Sequence, residues 1–150
     1  MFELQSMSYF CFKINRLECV TIAFQTNNHI KQNTVQKFGA SKEFITDTDF
    51  EWEVVGEGIK RKIMGYDDTI MMVNVLFEKG AVGTLHEHYH SQVTNVAKGV
   101  FEVTINGITQ VMKEGDCFYI PPHAIHGVLC LEDGLLIDVF SPIREDFMKA

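Results

Sequence analysis

The stretch that decides the fold is GAVGTLHEHYHSQVTNVAKG, residues 80–99. Its centre holds His86 and His88, which are separated by one residue. On a β-strand, residues i and i+2 point to the same face, so a strand here would turn both imidazoles to one side. Gln92 has the same parity and could add an amide oxygen if the strand bends around an ion. The pattern therefore predicts metal ligation by His86, His88 and Gln92.

A second histidine-bearing stretch, GDCFYIPPHAIHG, covers residues 115–127. His126 follows a Pro-Pro turn at the start of the next predicted strand, and a strand across a barrel would bring it to the first two histidines. Three imidazoles and one oxygen suit a first-row transition metal with open coordination positions, which can act as a Lewis acid. We predict one divalent ion as cofactor; nickel, zinc, iron and manganese all tolerate this donor set, so the pattern does not identify the metal.

Two further histidines lie within these stretches. His90 shares the parity of His86 and His88 and could be a fourth imidazole, but we favour a supporting or pocket-lining role. His123 lies in a tight turn, where histidine tolerates left-handed backbone better than most residues. We therefore expect His123 to serve the turn rather than the metal.

The sequence around these stretches predicts an all-β fold. Short alternating or apolar runs indicate eight to ten strands, and twelve Phe and four Tyr favour strand structure. Asn106-Gly107 between two alternating runs predicts a tight hairpin, and residues 132–134 predict another turn. Such a chain is a sandwich or a barrel. Only residues 144–149 are expected to form a helical turn.

Length and charge limit the organisation and the partners. A chain of 150 residues predicts one domain. We place a barrel at residues 37–150 and an N-terminal extension at residues 1–36, which could be an added strand, a dimerisation arm or a loose extension. The net charge is −7 and the basic residues are scattered, which argues against nucleic acid as a partner. The apolar runs are too short for a membrane-spanning helix.

The cysteines indicate a reducing compartment. They stand at positions 11, 19, 117 and 130 without any C-x-x-C pair, so neither a zinc ribbon nor a redox motif is indicated. The N-terminus lacks a secretory pattern. We expect a cytoplasmic protein with reduced thiols, and a buried structural thiol at Cys117.

A third informative stretch, LLIDVFSPIREDFM, covers residues 135–148. Asp138 interrupts an apolar strand, where a carboxylate is costly to bury unless it is paired or liganded. It shares a face with Phe140, and Arg144 follows a Ser-Pro turn from which it could bind a planar carboxylate in a bidentate fork. The alternatives without a functional role are an outward-facing Asp138 and a solvated ion pair between Arg144 and one of the two acidic residues that follow it.

The two histidine stretches resemble the two motifs of the cupins. Gly80, His86, His88 and Gly99 match G-x5-H-x-H-x3-E-x6-G at every spacing, with Gln92 in place of the Glu. In the second motif, G-x5-P-x-G-x2-H, Gly115, Pro121 and His126 match and His123 replaces the Gly. The resemblance implies the double-stranded jelly-roll barrel, which agrees with the strand count. It also implies a homodimer, because cupins commonly pair through sheet edges.

Within the cupins, the Gln92 variant and DVFSPIREDF resemble the KdgF family of pectin and alginate degradation. The resemblance spans roughly residues 38–148 and implies that 4,5-unsaturated uronate monosaccharides are converted to the linear ketonised form. It implies a metal shell of His86, His88, Gln92 and His126, with catalytic roles for Asp138, Phe140 and Arg144. The small-molecule partner would be a sugar acid derived from galacturonate or mannuronate.

Other functions remain open on the same barrel, because a fold does not determine a function. One alternative is another metal-dependent enzyme, such as a dioxygenase or a sugar isomerase. A second is a non-enzymatic sugar-binding cupin, and a third is a structural or storage barrel that retains the metal ligands. Asp138 and the Phe140–Arg144 pair argue against the third, since a structural metal site needs neither.

Overall fold

The structure, a computed structural model, describes residues 37–148 of the chain. The predicted extension at residues 1–36 lies outside the described residues. The described part consists of short 3₁₀ helices at Asp47–Asp49 and Glu145–Phe147 and of eight strands: β1 (Glu53–Gly56), β2 (Ile59–Asp67), β3 (Ile70–Phe77), β4 (Val82–His86), β5 (Ser91–Ile105), β6 (Ile108–Lys113), β7 (Cys117–Ile120) and β8 (His126–Ser141).

The strands pair antiparallel in the order β1-β2-β3-β8-β5-β6, with β4 added to β8 and β7 added to β5. The long strands β5 and β8 pair with each other along almost their whole length, so they belong to both halves of the fold. Along β5, the first half also pairs with β7 and the last half with β6. Along β8, the first half also pairs with β4 and the last half with β3. This arrangement confirms the predicted all-β jelly-roll. Among the described residues, no helix is long and apolar enough to cross a membrane.

The long strands bend together at two glycines. Gly99 has a φ of +88°, and a Cβ there would lie 2.7 Å from the Glu132 carbonyl oxygen. A Cβ on Gly134 would lie 2.6 Å from the Phe101 ring. The predicted turn at residues 132–134 is therefore wrong, because these residues continue β8 through the bend instead of separating two strands. The Asn106-Gly107 hairpin is confirmed, with both residues at positive φ.

Two apolar clusters fill the inside of the fold. One is centred on Phe77 and Phe101, whose rings meet edge to face with centroids 5.5 Å apart. The other contains Met71, Phe140 and Ile143 and lies beside the candidate site described below. The expectation of a buried Cys117 is wrong: this thiol is exposed, because it lies on the opposite face of β7 from the buried side chains, whereas Cys130 is buried.

Candidate metal centre and catalytic cavity

The three predicted histidine ligands meet at one point. His86 ends β4 and lies opposite His126, the first residue of β8, in the strand register. One ring nitrogen from each of His86, His88 and His126 lies within 4.8 Å of the others. These three residues could therefore hold a metal ion. His88 lies beyond the end of β4, so a bend in the chain, and not the strand parity used in the prediction, brings it to the other two.

Backbone carbonyls orient all three rings. Nδ1 of His86 donates to the Thr84 carbonyl at 2.8 Å, and Nδ1 of His126 donates to the Ala124 carbonyl at 2.8 Å. Nδ1 of His88 lies 3.2 Å from the His90 carbonyl. When Nδ1 carries the proton, the lone pair of Nε2 is left for a metal, and such a partner is the usual device that orients a ligating histidine.

Two of the Nε2 atoms lack a suitable hydrogen-bond partner. Burial lowers the pKa of His126 to about 4, so the ring is neutral, and its buried Nε2 has no partner among residues 37–148. Burial also lowers the pKa of His88, with a smaller contribution from the Arg144 charge. A neutral His88 has one N–H but faces two oxygens, the His90 carbonyl and Oε1 of Gln92 at 3.0 Å. A cation bound by the Nε2 atoms and by Gln92 Oε1 would give each of these atoms a partner. The residues therefore fit the predicted metal shell.

Gln92 connects this cluster to Asp138. It is buried on β5, and its Nε2 donates to Thr94 Oγ1 at 2.9 Å. The Thr94 hydroxyl in turn donates to Oδ1 of Asp138 at 2.6 Å, because the β5–β8 register places the two residues opposite each other. The partly buried Asp138 therefore faces inward, and the outward-facing alternative is excluded. Desolvation raises the pKa of Asp138 to about 6, against the hydrogen bonds from Thr94 and Gln92, which lower it.

Arg144 lies at the same cavity and is buried. Its Nε and Nη2 donate to the two carboxylate oxygens of Asp146 at 2.9 and 2.8 Å. Its Cζ lies 5.2 Å from the centroid of the Phe140 ring and 4.2 Å from that of Phe147. The predicted alternative of an ion pair is thus present, but Arg144 is buried instead of solvated. Phe140 is also buried, and its ring meets that of His88 edge to face.

A cavity of about 880 Å³ connects these groups. Its size suits a small organic ligand. Six of the residues predicted for the site line it: His86, Gln92, His126, Asp138, Phe140 and Arg144. His86 is exposed, which leaves the candidate metal centre accessible from this cavity.

The two other histidines take supporting positions. Nε2 of buried His90 donates to the Ile143 carbonyl at 3.0 Å, so this ring ties the first histidine stretch to the segment that carries Arg144. His123 has a φ of 64° in its turn and its N–H donates to the His88 carbonyl at 2.8 Å. Neither belongs to the group of converging histidine nitrogens, in agreement with the roles predicted for them.

Three polar or aromatic residues of the cavity region were missed by the sequence analysis: Thr94, Arg61 and Phe147. A signal existed for two of them. Thr94 shares the parity of Gln92 along β5, and Arg61 stands between Ile59 and Ile63 on the apolar side of an alternating strand. No comparable pattern indicated Phe147, because its position depends on how the chain folds back after β8.

Known proteins resemble this chain over the same region. The cupin domain family matches residues 73–140. The pectin degradation protein KdgF of Dickeya dadantii (strain 3937) is 47% identical over 109 residues, which cover 71% of this chain and 99% of that protein.

Two solved structures agree with this match. An RmlC-like cupin from Shewanella frigidimarina NCIMB 400 is 44% identical, with a TM-score of 0.70 over 72% of this chain and 97% of that one. KdgF from Halomonas sp. is 41% identical, with a TM-score of 0.68 over 71% of this chain and 99% of that one. Nearly the full length of these proteins is matched, and the chain therefore belongs to the KdgF family of cupins.

Proposed function

We propose that this protein converts 4,5-unsaturated uronate monosaccharides to their linear ketonised form in the breakdown of pectin or alginate. The observation that carries the proposal is a single cavity lined by two of the three converging histidines, an inward-facing carboxyl group and a buried guanidinium group. The name of the Dickeya relative, a pectin degradation protein, indicates the source of the substrate.

The proposed reaction is an isomerisation that needs no second substrate. The anomeric hydroxyl group at C1 loses its proton, and the bond between C1 and the ring oxygen breaks. The products of this step are an aldehyde at C1 and an enolate across C4, C5 and the former ring oxygen. Addition of a proton at C4 then leaves a ketone at C5, so one proton is lost and one is gained.

The metal shell would consist of His86, His88, His126 and Gln92. A bound divalent ion would supply positive charge that stabilises negative charge on substrate oxygens. Gln92 contributes an oxygen without adding a negative charge, whereas the Glu found in the general cupin motif would offset part of the charge of the ion. The neutral shell therefore favours an anionic ligand.

Asp138 is the proposed general acid and base. The Thr94 hydroxyl donates to Oδ1 of Asp138, and Gln92 donates to Thr94, so a chain of hydrogen bonds links the carboxyl group to the metal shell. A side chain that moves a proton must be held within hydrogen-bond reach of the reacting atom. We assign to Asp138 the transfer of a proton between substrate oxygen and C4. Arg144 would bind the substrate carboxylate, and Phe140 would pack against the sugar.

The test is an ultraviolet assay with unsaturated galacturonate made by a pectate lyase. Metal-loaded protein should accelerate the loss of absorbance of the conjugated double bond, a chelator should abolish this effect, and added metal should restore it. The same assay with alginate lyase products would rank the two substrate classes. No acceleration at stoichiometric metal would contradict the proposal. Oxygen uptake by the iron-loaded protein would then indicate a dioxygenase, and saturable uronate binding without turnover a sugar-binding protein.

A further inference from the structure

Arg61 is a basic residue on the inner face of the barrel. Residues 59, 61 and 63 of β2 share one face, and both neighbours of Arg61 on that face are isoleucines. The strand register places Arg61 beside Val75, and Val75 beside buried Leu136. Arg61 also lines the cavity that contains Asp138 and Arg144. An arginine at an inward position of an apolar alternation calls for an explanation, because charged side chains are seldom buried without a partner.

Arg61 and Arg144 lie on the same aromatic ring. The Cζ atom of Arg61 is 4.0 Å from the centroid of Phe147, and that of Arg144 is 4.2 Å from it. The two guanidinium carbons are therefore within about 8 Å of each other. Two like charges at this separation in a partly buried site repel each other, and an anion bound between them would remove the repulsion.

The two guanidinium groups differ in what they have left to offer a ligand. Arg144 uses Nε and Nη2 on Asp146. Arg61 uses Nε alone, which donates to Oε2 of Glu53 at 2.7 Å. Within residues 37–148, neither Nη atom of Arg61 has an acceptor at hydrogen-bond distance, and Glu53 is more exposed than Arg61, at 58% against 18% of the side chain. Arg61 thus keeps both Nη groups for a ligand in the cavity that it lines.

We propose that Arg61 is a second substrate-binding residue, which forms the two-point contact with the carboxylate of the sugar acid while Arg144 contributes its remaining donors. A planar carboxylate accepts two parallel N–H bonds from one guanidinium group, and such pairs are the strong form of this contact. The arrangement would make the site selective for sugar acids over neutral sugars. The inference rests on the proposed function, since it concerns the substrate of that site.

The first test compares Arg61→Gln with Lys60→Gln in the ultraviolet assay. Lys60 is the exposed neighbour on the opposite face of β2, so both variants lose one positive charge from the same strand. Arg61→Gln should raise KM at least about tenfold and change kcat much less, because a charge-assisted hydrogen bond that is made in both ground and transition states is lost. Lys60→Gln should behave as wild type. The KM of Arg61→Lys should lie between those of the two other variants, since lysine keeps the charge but cannot donate two parallel hydrogen bonds to one carboxylate.

The second test measures selectivity by inhibition with D-galacturonate and with the neutral sugar D-galactose. Wild type and Lys60→Gln should prefer the acid by at least about tenfold, and Arg61→Gln should lose most of that preference. A further variant, Glu53→Gln, keeps Arg61 and removes its competing carboxylate, so it should lower KM; this keeps the inference testable if Arg61→Gln fails to fold.

The outcomes separate the inference from the proposed function. Turnover by wild type together with an unchanged KM and acid preference in folded Arg61→Gln would overturn the role of Arg61 alone. Absence of turnover in wild type would overturn the proposed function. In that case calorimetric binding of D-galacturonate still tests Arg61, and equal affinity in wild type and Arg61→Gln would overturn the inference.

Discussion

At the scale of single residues, Asp138 offers the sharpest prediction. Asp138→Asn keeps the size of the side chain and an oxygen that can accept from Thr94, so the fold and the metal content should be retained. Because the amide cannot take up or release the proton, turnover should fall by about 100-fold or more. The measurements are the ultraviolet assay and the metal content of the purified variant.

The control for this variant is Glu132→Gln, an exposed acidic residue on the same strand. It should show wild-type turnover. If Asp138→Asn retained more than a tenth of wild-type activity at full metal content, Asp138 could not be the residue that moves the proton.

Residue chemistry explains which parts of the site could be predicted from the sequence. The histidines and Gln92 were predicted because metal ligands are few in kind and here lie within two short stretches of sequence. Asp138 was predicted because an acidic residue in an apolar strand is costly unless it has a role. Arg61 was missed although it stands between two isoleucines on an alternating strand, because the alternation alone does not show that this face of β2 lines a cavity; that depends on strands far away in the sequence.

At the scale of elements, the position of Arg144 in the segment after β8 depends on its ion pair with Asp146. The Arg144 hydrogen bonds lower the pKa of Asp146 below its ordinary value of 3.8. A carboxyl whose pKa is lower in the folded state stabilises the fold at pH values above its unfolded pKa, and this contribution is lost as the pH falls through the folded value. Asp146→Asn should therefore lower the free energy of unfolding at pH 7. The effect should stay below about 1 kcal/mol, because the carboxylate is half exposed.

The measurement is urea unfolding of wild type and Asp146→Asn at pH 7 and at successively lower pH. The difference between the two proteins should be constant down to about pH 5 and should shrink below pH 3.8. The matched variant Glu114→Gln removes an exposed carboxylate with no ion-pair partner within residues 37–148 and should show no such difference at pH 7. A difference between wild type and Asp146→Asn that grew at low pH would contradict the assigned direction.

A second prediction at this scale concerns the bend shared by β5 and β8. Gly99 and Gly107 have similar positive φ values, 88° and 80°. A Cβ on Gly107 would meet nothing within 4 Å, whereas one on Gly99 would collide with backbone atoms of β8. Gly107→Ala should lower the free energy of unfolding by about 1 kcal/mol, because of the left-handed backbone alone. Gly99→Ala should lower it by about 1–3 kcal/mol more, because the backbone of β8 must also shift. Equal unfolding free energies for the two variants would show that the bend tolerates a side chain.

The same bend shows where prediction from local sequence stopped for the elements. The Asn106-Gly107 hairpin was predicted because both residues favour the positive φ values that a tight hairpin needs. Residues 132–134 carry equally good turn residues, yet they lie inside a strand. Strand β5 pairs with β8 on both sides of this point, and that long-range pairing outweighs the local preference.

At the scale of the whole molecule, the metal shell joins segments that are distant in the sequence, and a bound ion should therefore stabilise the fold. An ion that binds only the folded state adds about 2.7 kcal/mol at a free concentration of 100 times its Kd. For a protein of this size that corresponds to a rise in Tm of about 5–10 °C.

The matched variants for this effect are His126→Ala and His123→Asn. His126 is buried with an unpartnered Nε2, so its loss should remove most of the metal-dependent rise, whatever the Tm of the metal-free variant. His123 lies exposed at positive φ, which asparagine also tolerates, so His123→Asn should keep the full rise. The measurement is Tm by scanning calorimetry with nickel, zinc, iron(II) or manganese and with chelator. A rise of equal size in His126→Ala would place the ion elsewhere, because ligation at this site needs the third imidazole to close the shell between β4 and β8.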